Sequence, residues 1–200
     1  MMLDDLFETI DGQTALSREE TIALIPSLST RAQLNEIERI NIHAARVWAM
    51  RPTVLRRTDL LTDTFARELH RRMFHRVWRW AGRYRTSERN LGWDPHRITE
   101  GVRVLFDDAR YWIENKTYPL HESAVRLHHR LVAIHPWPNG NGRHARLMAD
   151  VLVAARGGGD LTWGAHADLA TAEAVRARYI AALQAADKNT IEPLIEFARS

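Results

Sequence analysis

The chain has 200 residues, of which 45% are hydrophobic, so it is long enough to bury a core without covalent staples. It contains no cysteine, which excludes disulfides and cysteine-ligated zinc, and its 28 basic residues nearly balance its 25 acidic ones. No apolar run predicts a membrane span and the first five residues are acidic rather than basic, so we expect no signal peptide and a cytoplasmic protein.

Hydrophobic periodicity predicts an all-α chain without repeats. We expect a short helix at 3–10 and a longer helix that is capped by Thr30 and runs to about Met50. Further helices are predicted at 63–80, 99–115, 121–134, 141–156, 171–187 and 190–198. Gly82 is expected to end the helix 63–80. Residues 83–97 lack helical periodicity and indicate an irregular hairpin.

The segment HPWPNGNGRHAR, residues 135–146, joins two of these helices through a short loop that contains glycine. The first amides of a helix lack internal partners and attract anions, so residues 140–142 predict a phosphate cradle. Arg143 and Arg146 share one face of the second helix and can clamp phosphate oxygens. His135 titrates near neutrality and is a candidate general base for a hydroxyl. Together these features predict phosphoryl or nucleotidyl transfer.

This segment closely resembles the signature of the Fic/Doc family: His, Pro, aromatic, any residue, acid, Gly, Asn, Gly, Arg, two of any kind, Arg. The resemblance covers roughly residues 58–198, including the segment from His70 to Gly82 and the closing helices around Tyr179. It implies a Fic-type helical bundle with a short flap hairpin beside the active-site loop. We expect an N-terminal helical extension at 1–57 and a Fic core at 58–200. Residues 30–36 resemble a subgroup called mobile mystery protein B, which is associated with a helix-turn-helix partner.

The resemblance implies a protein adenylyltransferase, toxin-like in character, that uses ATP. His135 would take the proton of a Ser, Thr or Tyr hydroxyl on a target protein, the hydroxyl would attack the α-phosphate, and pyrophosphate would leave. Arg143 would also be catalytic. The implied nucleotide-binding residues are Asn139, Gly140, Asn141, Gly142, Arg143 and Arg146. The implied target-binding flap is Arg85, Thr86, Ser87, Glu88, Arg89, Asn90 and Leu91, against the alternative of a surface loop without a role.

Asn139 departs from the family pattern, which usually has Asp or Glu there to help hold Mg²⁺. An amide oxygen can ligate but brings no charge. Weaker metal use, a different nucleotide or leaving group, and reduced activity all stay open, and we expect Mg²⁺-assisted transfer to be retained, with Asn139 as the metal ligand. The alternative function is a catalytically silent Fic fold that binds nucleotide or a partner protein without transfer.

Two further sequence features concern regulation and partners. The inhibitory pattern of many Fic proteins, Ser or Thr, three residues, Glu, then Gly or Asn, is absent from both ends of the chain, so restraint would come from a separate antitoxin or helix-turn-helix partner. Clustered arginines at 56–57 and 71–85 permit nucleic-acid binding, but solvated helix faces are the commoner cause, so nucleic acid is not an expected partner. Arg146 could instead only pair with Asp150. The target protein and the oligomeric state are not determined by the sequence.

Overall fold

The structure is a computed structural model that describes residues 22–26, 30–89, 91–165 and 171–200. The described residues contain eight α-helices, one 3-10 helix and no strand. The α-helices are α1 Arg31–Ala49, α2 Pro52–Leu55, α3 Asp63–Phe74, α4 Ile98–Glu114, α5 Leu120–Ile134, α6 Asn141–Ala155, α7 Ala172–Asp187 and α8 Glu192–Arg199. The 3-10 helix, Pro95–Arg97, leads into α4. The predicted all-α class is confirmed, whereas the helix predicted at 3–10 lies outside the described residues.

Helix α1 begins where the sequence predicted. The Thr30 hydroxyl accepts a hydrogen bond from the Gln33 amide at 3.2 Å, and the Gln33 side chain accepts one from the Thr30 amide at 3.3 Å, which forms a capping box. The face that α1 buries includes two polar residues, Glu38 and Asn41. A buried carboxylate needs partners, and those of Glu38 come from the site described below.

Helix α3 ends at Phe74, six residues earlier than predicted, because the backbone that follows pairs with the N-terminal segment instead of continuing the helix. The Ile25 amide donates to the Val77 carbonyl at 2.8 Å, and the Arg79 amide donates to the Ala23 carbonyl at 2.9 Å. Residues 75–82 therefore form turns rather than a helix. The prediction of a helix to residue 80 was wrong because this pairing joins residues that are far apart in the chain.

The remaining helices hold the two helices that flank the candidate site. Helices α5 and α6 pack on each other, with α4 against α5 and α1 against α3. Both helices that flank the loop at 135–140 are held by the core, which includes Leu127 and Leu131 of α5 and Leu147 and Val151 of α6. The boundaries of α4 to α8 lie within two residues of the predicted ones. No helix in the described ranges is both long and apolar enough to cross a membrane.

Candidate active site

His135 caps the C-terminus of α5 in a left-handed backbone conformation, with φ 54° and ψ 58°. This conformation costs roughly 1–2 kcal/mol for a residue with a side chain, so surrounding contacts must hold it. Three successive carbonyls accept hydrogen bonds from the flap. The Trp93 amide donates to Ile134 at 3.1 Å, and Arg85 donates to His135 through Nε at 2.7 Å and to Pro136 through its amide at 2.9 Å. The flap and the motif loop therefore form one hydrogen-bonded unit.

Arg85 joins the flap to the motif loop. Its side chain is only 3% exposed, and its guanidinium donates to the carbonyls of His135, Ser87 and Trp93. Burial lowers the pKa of this guanidinium, and the acids Asp94 and Glu88 oppose the shift. The sequence assigned Arg85 to target binding, but the structure places its guanidinium inside the flap, where it holds the shape of the flap and the position of His135.

The residues that follow Arg85 are mostly exposed up to Gly92, which lies against His135. Thr86, Ser87, Glu88 and Leu91 are exposed, Arg89 is half-buried, and Asn90 lies outside the described residues. Gly92 lies directly against His135, since a Cβ on Gly92 would fall 2.5 Å from the His135 Cβ. The φ of Gly92 is +95°, which also favours glycine. The predicted flap is thus next to the candidate base.

The His135 imidazole is neutral at physiological pH. Its side chain is 8% exposed, and its pKa is lowered to about 4, first by burial and then by the charges of Arg85 and Arg89. A hydrogen bond to the backbone of Val132 opposes the shift. When one ring nitrogen of a neutral imidazole donates, the other keeps its lone pair as an acceptor. The ring is therefore in the protonation state that a general base requires.

The residues predicted to form a phosphate cradle lie at the N-terminus of α6. Gly140 is the N-cap residue, with φ +81° and no side-chain cap. Among the described residues, the amides of Asn141, Gly142 and Arg143 have no hydrogen-bond acceptor. The Gly140 amide differs, because it donates to Asn139 Oδ1 at 2.6 Å. Three of the first amides are thus available to an anion, and the fourth is already bonded.

The side chains of Asn141 and Asn139 have structural partners. Asn141 Oδ1 accepts from the Trp137 amide at 2.9 Å, and Asn141 Nδ2 donates to the Trp137 carbonyl at 2.8 Å, which closes the loop on itself. Asn139 Oδ1, the oxygen predicted to ligate a metal, accepts from Gly140 instead. No group of three His, Asp or Glu side chains that could hold a metal occurs in the part of the chain that is described. The loop at 135–140 therefore offers a cation the amide oxygen of Asn139 and no carboxylate.

The Arg143 side chain is committed to Glu38. Arg143 donates to Glu38 Oε2 at 2.6 Å, and Trp78 Nε1 donates to Glu38 Oε1 at 2.7 Å. Glu38 is 2% exposed, so a carboxylate of α1 lies buried against the first arginine of the motif. Sequence analysis missed this residue, and the only available signal was a charged residue at a core position of α1.

Arg146 lies on another side of the cradle. Its guanidinium is 5.2 Å from the centroid of the Tyr179 ring. The Tyr179 hydroxyl is hydrogen-bonded to His128 Nε2 at 3.1 Å and lies 3.2 Å from where a Cβ of Gly142 would be. Asp150 forms its ion pair with Arg46 of α1, so no Arg146–Asp150 pair is present within the described ranges. Helix α7 thus contributes a hydroxyl beside the cradle, which the sequence did not predict.

Two buried histidines contact the loop at 135–140 through hydrogen bonds and ring stacking. His70 Nδ1 accepts from the Gly82 amide at 3.0 Å, so its Nε2 carries the proton and donates to the Asn139 carbonyl at 3.2 Å. Its ring stacks on Trp137 at 4.1 Å. His144 Nδ1 accepts from Trp137 Nε1 at 3.2 Å, and its Nε2 donates to the Ala66 carbonyl at 3.0 Å. Both rings need to be neutral to make these bonds.

We expect the folded state to lose stability as pH falls below 6.5. Burial lowers the pKa of His70, His128, His135 and His144, and for the last two it falls to about 4. Between the folded and unfolded pKa values the unfolded chain binds more protons, so a shift of this size costs about 2 kcal/mol per histidine by about pH 5. Urea unfolding at neutral pH and at about pH 5 tests this, and equal unfolding free energies would contradict it.

Comparison with known proteins gives a consistent result. Residues 60–153 match the family model described as Fic/DOC family, which confirms the resemblance drawn from the motif. The chain is 26% identical over 150 residues to a protein adenylyltransferase Fic of Aedes aegypti, a match that covers 72% of this chain and 28% of that protein. The chain therefore spans little more than a quarter of that relative's length.

Solved structures show the same fold. Fic-1 of Caenorhabditis elegans superposes with a TM-score of 0.64 at 24% identity, covering 90% of this chain and 52% of that one. The N-terminal Fic domain of a cell filamentation protein of Bartonella quintana, solved with bound ADP, gives a TM-score of 0.66 at 17% identity, covering 88% and 87% of the two chains. Likeness at these identities establishes the helical architecture around the loop.

Proposed function

Because residues 60–153 match the Fic/DOC family, we propose that the protein is an adenylyltransferase that moves AMP from ATP to a Ser, Thr or Tyr hydroxyl of a target protein. The observation that supports this most directly is that a neutral His135 and three amides without an acceptor, those of Asn141, Gly142 and Arg143, lie at the two ends of one short loop. A relative is named a protein adenylyltransferase, and one structural neighbour was solved with ADP. We also propose a cytoplasmic location. On the resemblance alone, we propose a toxin-like role with an antitoxin or helix-turn-helix partner.

The proposed reaction needs one proton transfer and one displacement. The neutral His135 takes the hydroxyl proton as the hydroxyl oxygen bonds to the α-phosphorus of ATP. The bond from that phosphorus to its bridging oxygen breaks, and pyrophosphate leaves with the electron pair. The amides of Asn141, Gly142 and Arg143 and the dipole of α6 stabilise the phosphate charge, and Arg146 adds a guanidinium beside them. If Mg²⁺ is bound with the nucleotide, Asn139 Oδ1 would ligate it with its second lone pair, since the first accepts from the Gly140 amide.

Access to His135 requires the flap to adjust, because the ring is almost fully buried under Gly92 and Arg85. Arg85 and Trp93 anchor the ends of the flap, whereas Thr86, Ser87 and Glu88 between them are exposed. We propose that the target aligns in extended form along this exposed part, with main-chain pairing of the kind seen when a strand is added. The hydroxyl would then lie over the cradle.

A catalytically silent nucleotide-binding protein is the second candidate. It is favoured by two observations: the Asn139 oxygen is used inside the loop, and the Arg143 charge is paired with Glu38. Labelled ATP separates the two functions. Transfer from α-labelled but not γ-labelled ATP supports the first, whereas nucleotide binding that is lost in Arg143→Ala without any transfer supports the second. If Asn139→Asp gains transfer that the natural protein lacks, the amide is what silences the site.

Neutralising Glu38 is expected to strengthen nucleotide binding. In Glu38→Gln the amide still accepts from Trp78, but it no longer neutralises Arg143, whose charge becomes available to phosphate. We expect the Kd for ATP to fall about five- to tenfold, which is about 1 kcal/mol. Isothermal titration calorimetry measures this. The control is Glu36→Gln, which removes an exposed carboxylate paired with Arg39 on the same helix. Unchanged or weaker binding in Glu38→Gln would contradict the expectation.

A further inference from the structure

The chain has no acidic residue between Glu68 and Glu88, yet it has six arginines there. Two of them have partners: Arg72 pairs with Glu68, and Arg85 binds carbonyls in the flap. The other four are exposed and form no ion pair within the described ranges. We call these four the arginine patch: Arg71, Arg76, Arg79 and Arg83. His75, also exposed, lies among them.

The backbone brings the two ends of the patch together. After α3 the turns at 75–82 reverse the chain, so that a Cβ on Gly82 would fall 2.9 Å from the Arg71 Cβ. The Arg83 amide donates to the Trp80 carbonyl at 2.8 Å, which keeps Arg83 at the end of the same turn. The two ends of the patch, Arg71 and Arg83, are therefore neighbours in space as well as members of one short segment.

The patch differs from the other arginine-rich surface of this part of the chain. Arg57, Arg67 and Arg72 each pair with a carboxylate of α3 or of the turn before it. Such pairs are the ordinary state of a helix surface. Within the described ranges the arginines of the patch form no ion pair, and unpaired like charges raise the local potential and attract an anionic partner.

The position of the patch favours a protein partner over a nucleic acid. Arg83 precedes by two residues the flap anchor Arg85, whose amide is bonded to Pro136 of the motif. Single-stranded nucleic acids are usually held by exposed aromatic rings, but Trp78 is 1% exposed and is stacked on the half-buried Trp80 with 5.0 Å between ring centroids. Four arginines are also fewer than the roughly 6–10 phosphate contacts of duplex binders.

We propose that the arginine patch docks an acidic segment of the target protein and so delivers the neighbouring hydroxyl to the flap. This rests on the proposed function only in that the docked protein is also the acceptor. Ion pairs at the patch would raise the association rate and select acidic targets, while the flap positions the hydroxyl. The substrate class is thus a protein with a Ser, Thr or Tyr next to an acidic stretch.

Binding to a random copolymer of glutamate and tyrosine, labelled with fluorescein, tests the docking step without ATP. We expect binding that weakens steeply with salt, no binding of a lysine–tyrosine copolymer, and at least a tenfold increase in Kd in the double variant Arg76→Glu/Arg79→Glu. Arg51→Glu/Arg156→Glu is the control, because both side chains are exposed and unpaired within the described ranges and the charge change is identical. Thermal unfolding verifies that both variants are folded.

Three outcomes would overturn the proposal: no binding of the glutamate–tyrosine copolymer, an equal loss of affinity in the two double variants, or at least tenfold tighter binding of single-stranded RNA or duplex DNA that depends on the same arginines. Adding α-labelled ATP then tests transfer to the copolymer separately. Binding without label transfer would count against the adenylyltransferase and leave the docking surface supported. Label transfer that is equal in both double variants would count against the docking surface and support the enzyme.

Discussion

Replacing His135 with alanine is expected to lower AMP transfer by about a thousandfold or more, while ATP binding is retained. A positioned general base contributes about 10²- to 10⁴-fold to such a reaction, and nothing else on the loop can accept the hydroxyl proton. The measurement is incorporation of label from α-labelled ATP into an acceptor or into the protein itself. His129→Ala is the control, since that imidazole is on the same helix but bonds to Asp187. Transfer that persists in His135→Ala would contradict the proposed role.

The pH dependence of the transfer rate tests the same residue independently. Because the pKa of His135 is lowered to about 4, the neutral base is fully populated from neutral pH down to about pH 5.5. If Arg85 and Arg89 stay beside His135 when the flap admits the target, the transfer rate should show no decrease near 6.5, where an exposed histidine titrates, and should fall only as pH approaches the lowered pKa. Circular dichroism at each pH separates this loss from unfolding. A clear titration near 6.5 would show that another group is the base, or that the flap is open when His135 acts.

Replacing Gly140 with alanine is expected to lower the free energy of unfolding by about 3 kcal/mol and to remove nucleotide binding. The new methyl group would lie 2.6 Å from Phe74 Cε2, inside a core that cannot give way without moving α3. The φ of +81° adds the cost of a left-handed conformation, and the two costs together are on the order of 3 kcal/mol. Any relaxation would also turn the first amides of α6 away from the cradle.

Urea unfolding and ATP titration measure both effects of the Gly140 substitution. Gly159→Ala is a matched control, since no atom lies within 4 Å of its Cβ position and its φ is not in the left-handed range. That variant should unfold within about 0.5 kcal/mol of the natural protein. If Gly140→Ala were as stable as Gly159→Ala and bound ATP normally, the close contact with Phe74 would have no role in holding the cradle.

The position of Glu38 connects the N-terminal helix with the chemistry of the motif. Helix α1 supplies one carboxylate that is bonded both to Arg143 and to a tryptophan of the turns after α3. Any movement of α1 therefore changes the charge that Arg143 presents to a nucleotide. The predicted division into an extension at 1–57 and a core at 58–200 stays a prediction, and this buried ion pair is a contact across it.

Local features of the molecule were predicted well from the sequence. Thr30 caps α1 because the residues of a capping box are three apart in the chain. The motif loop lies between two amphipathic helices whose periodicity is visible in sequence, and α6 begins at Asn141 as expected. The available amides, the neighbouring histidine and the all-α class follow from interactions within one helix or one turn. Such interactions depend on residues that are close in the chain.

Contacts between residues that are far apart in the chain determined the features that the sequence did not predict. Arg143 and Glu38 are 105 residues apart, and Arg85 and the carbonyl of His135 are 50 apart. No helical or turn pattern links such positions, so the sequence did not predict that the Arg85 guanidinium is buried against the motif loop. Helix α3 stops early because residues 23 and 25 form backbone hydrogen bonds with residues 79 and 77, which follow the helix. The glycine-containing loop and its neighbouring histidine and arginines are set by the sequence itself, whereas the pairing of Arg143 and the burial of His135 depend on how the helices pack.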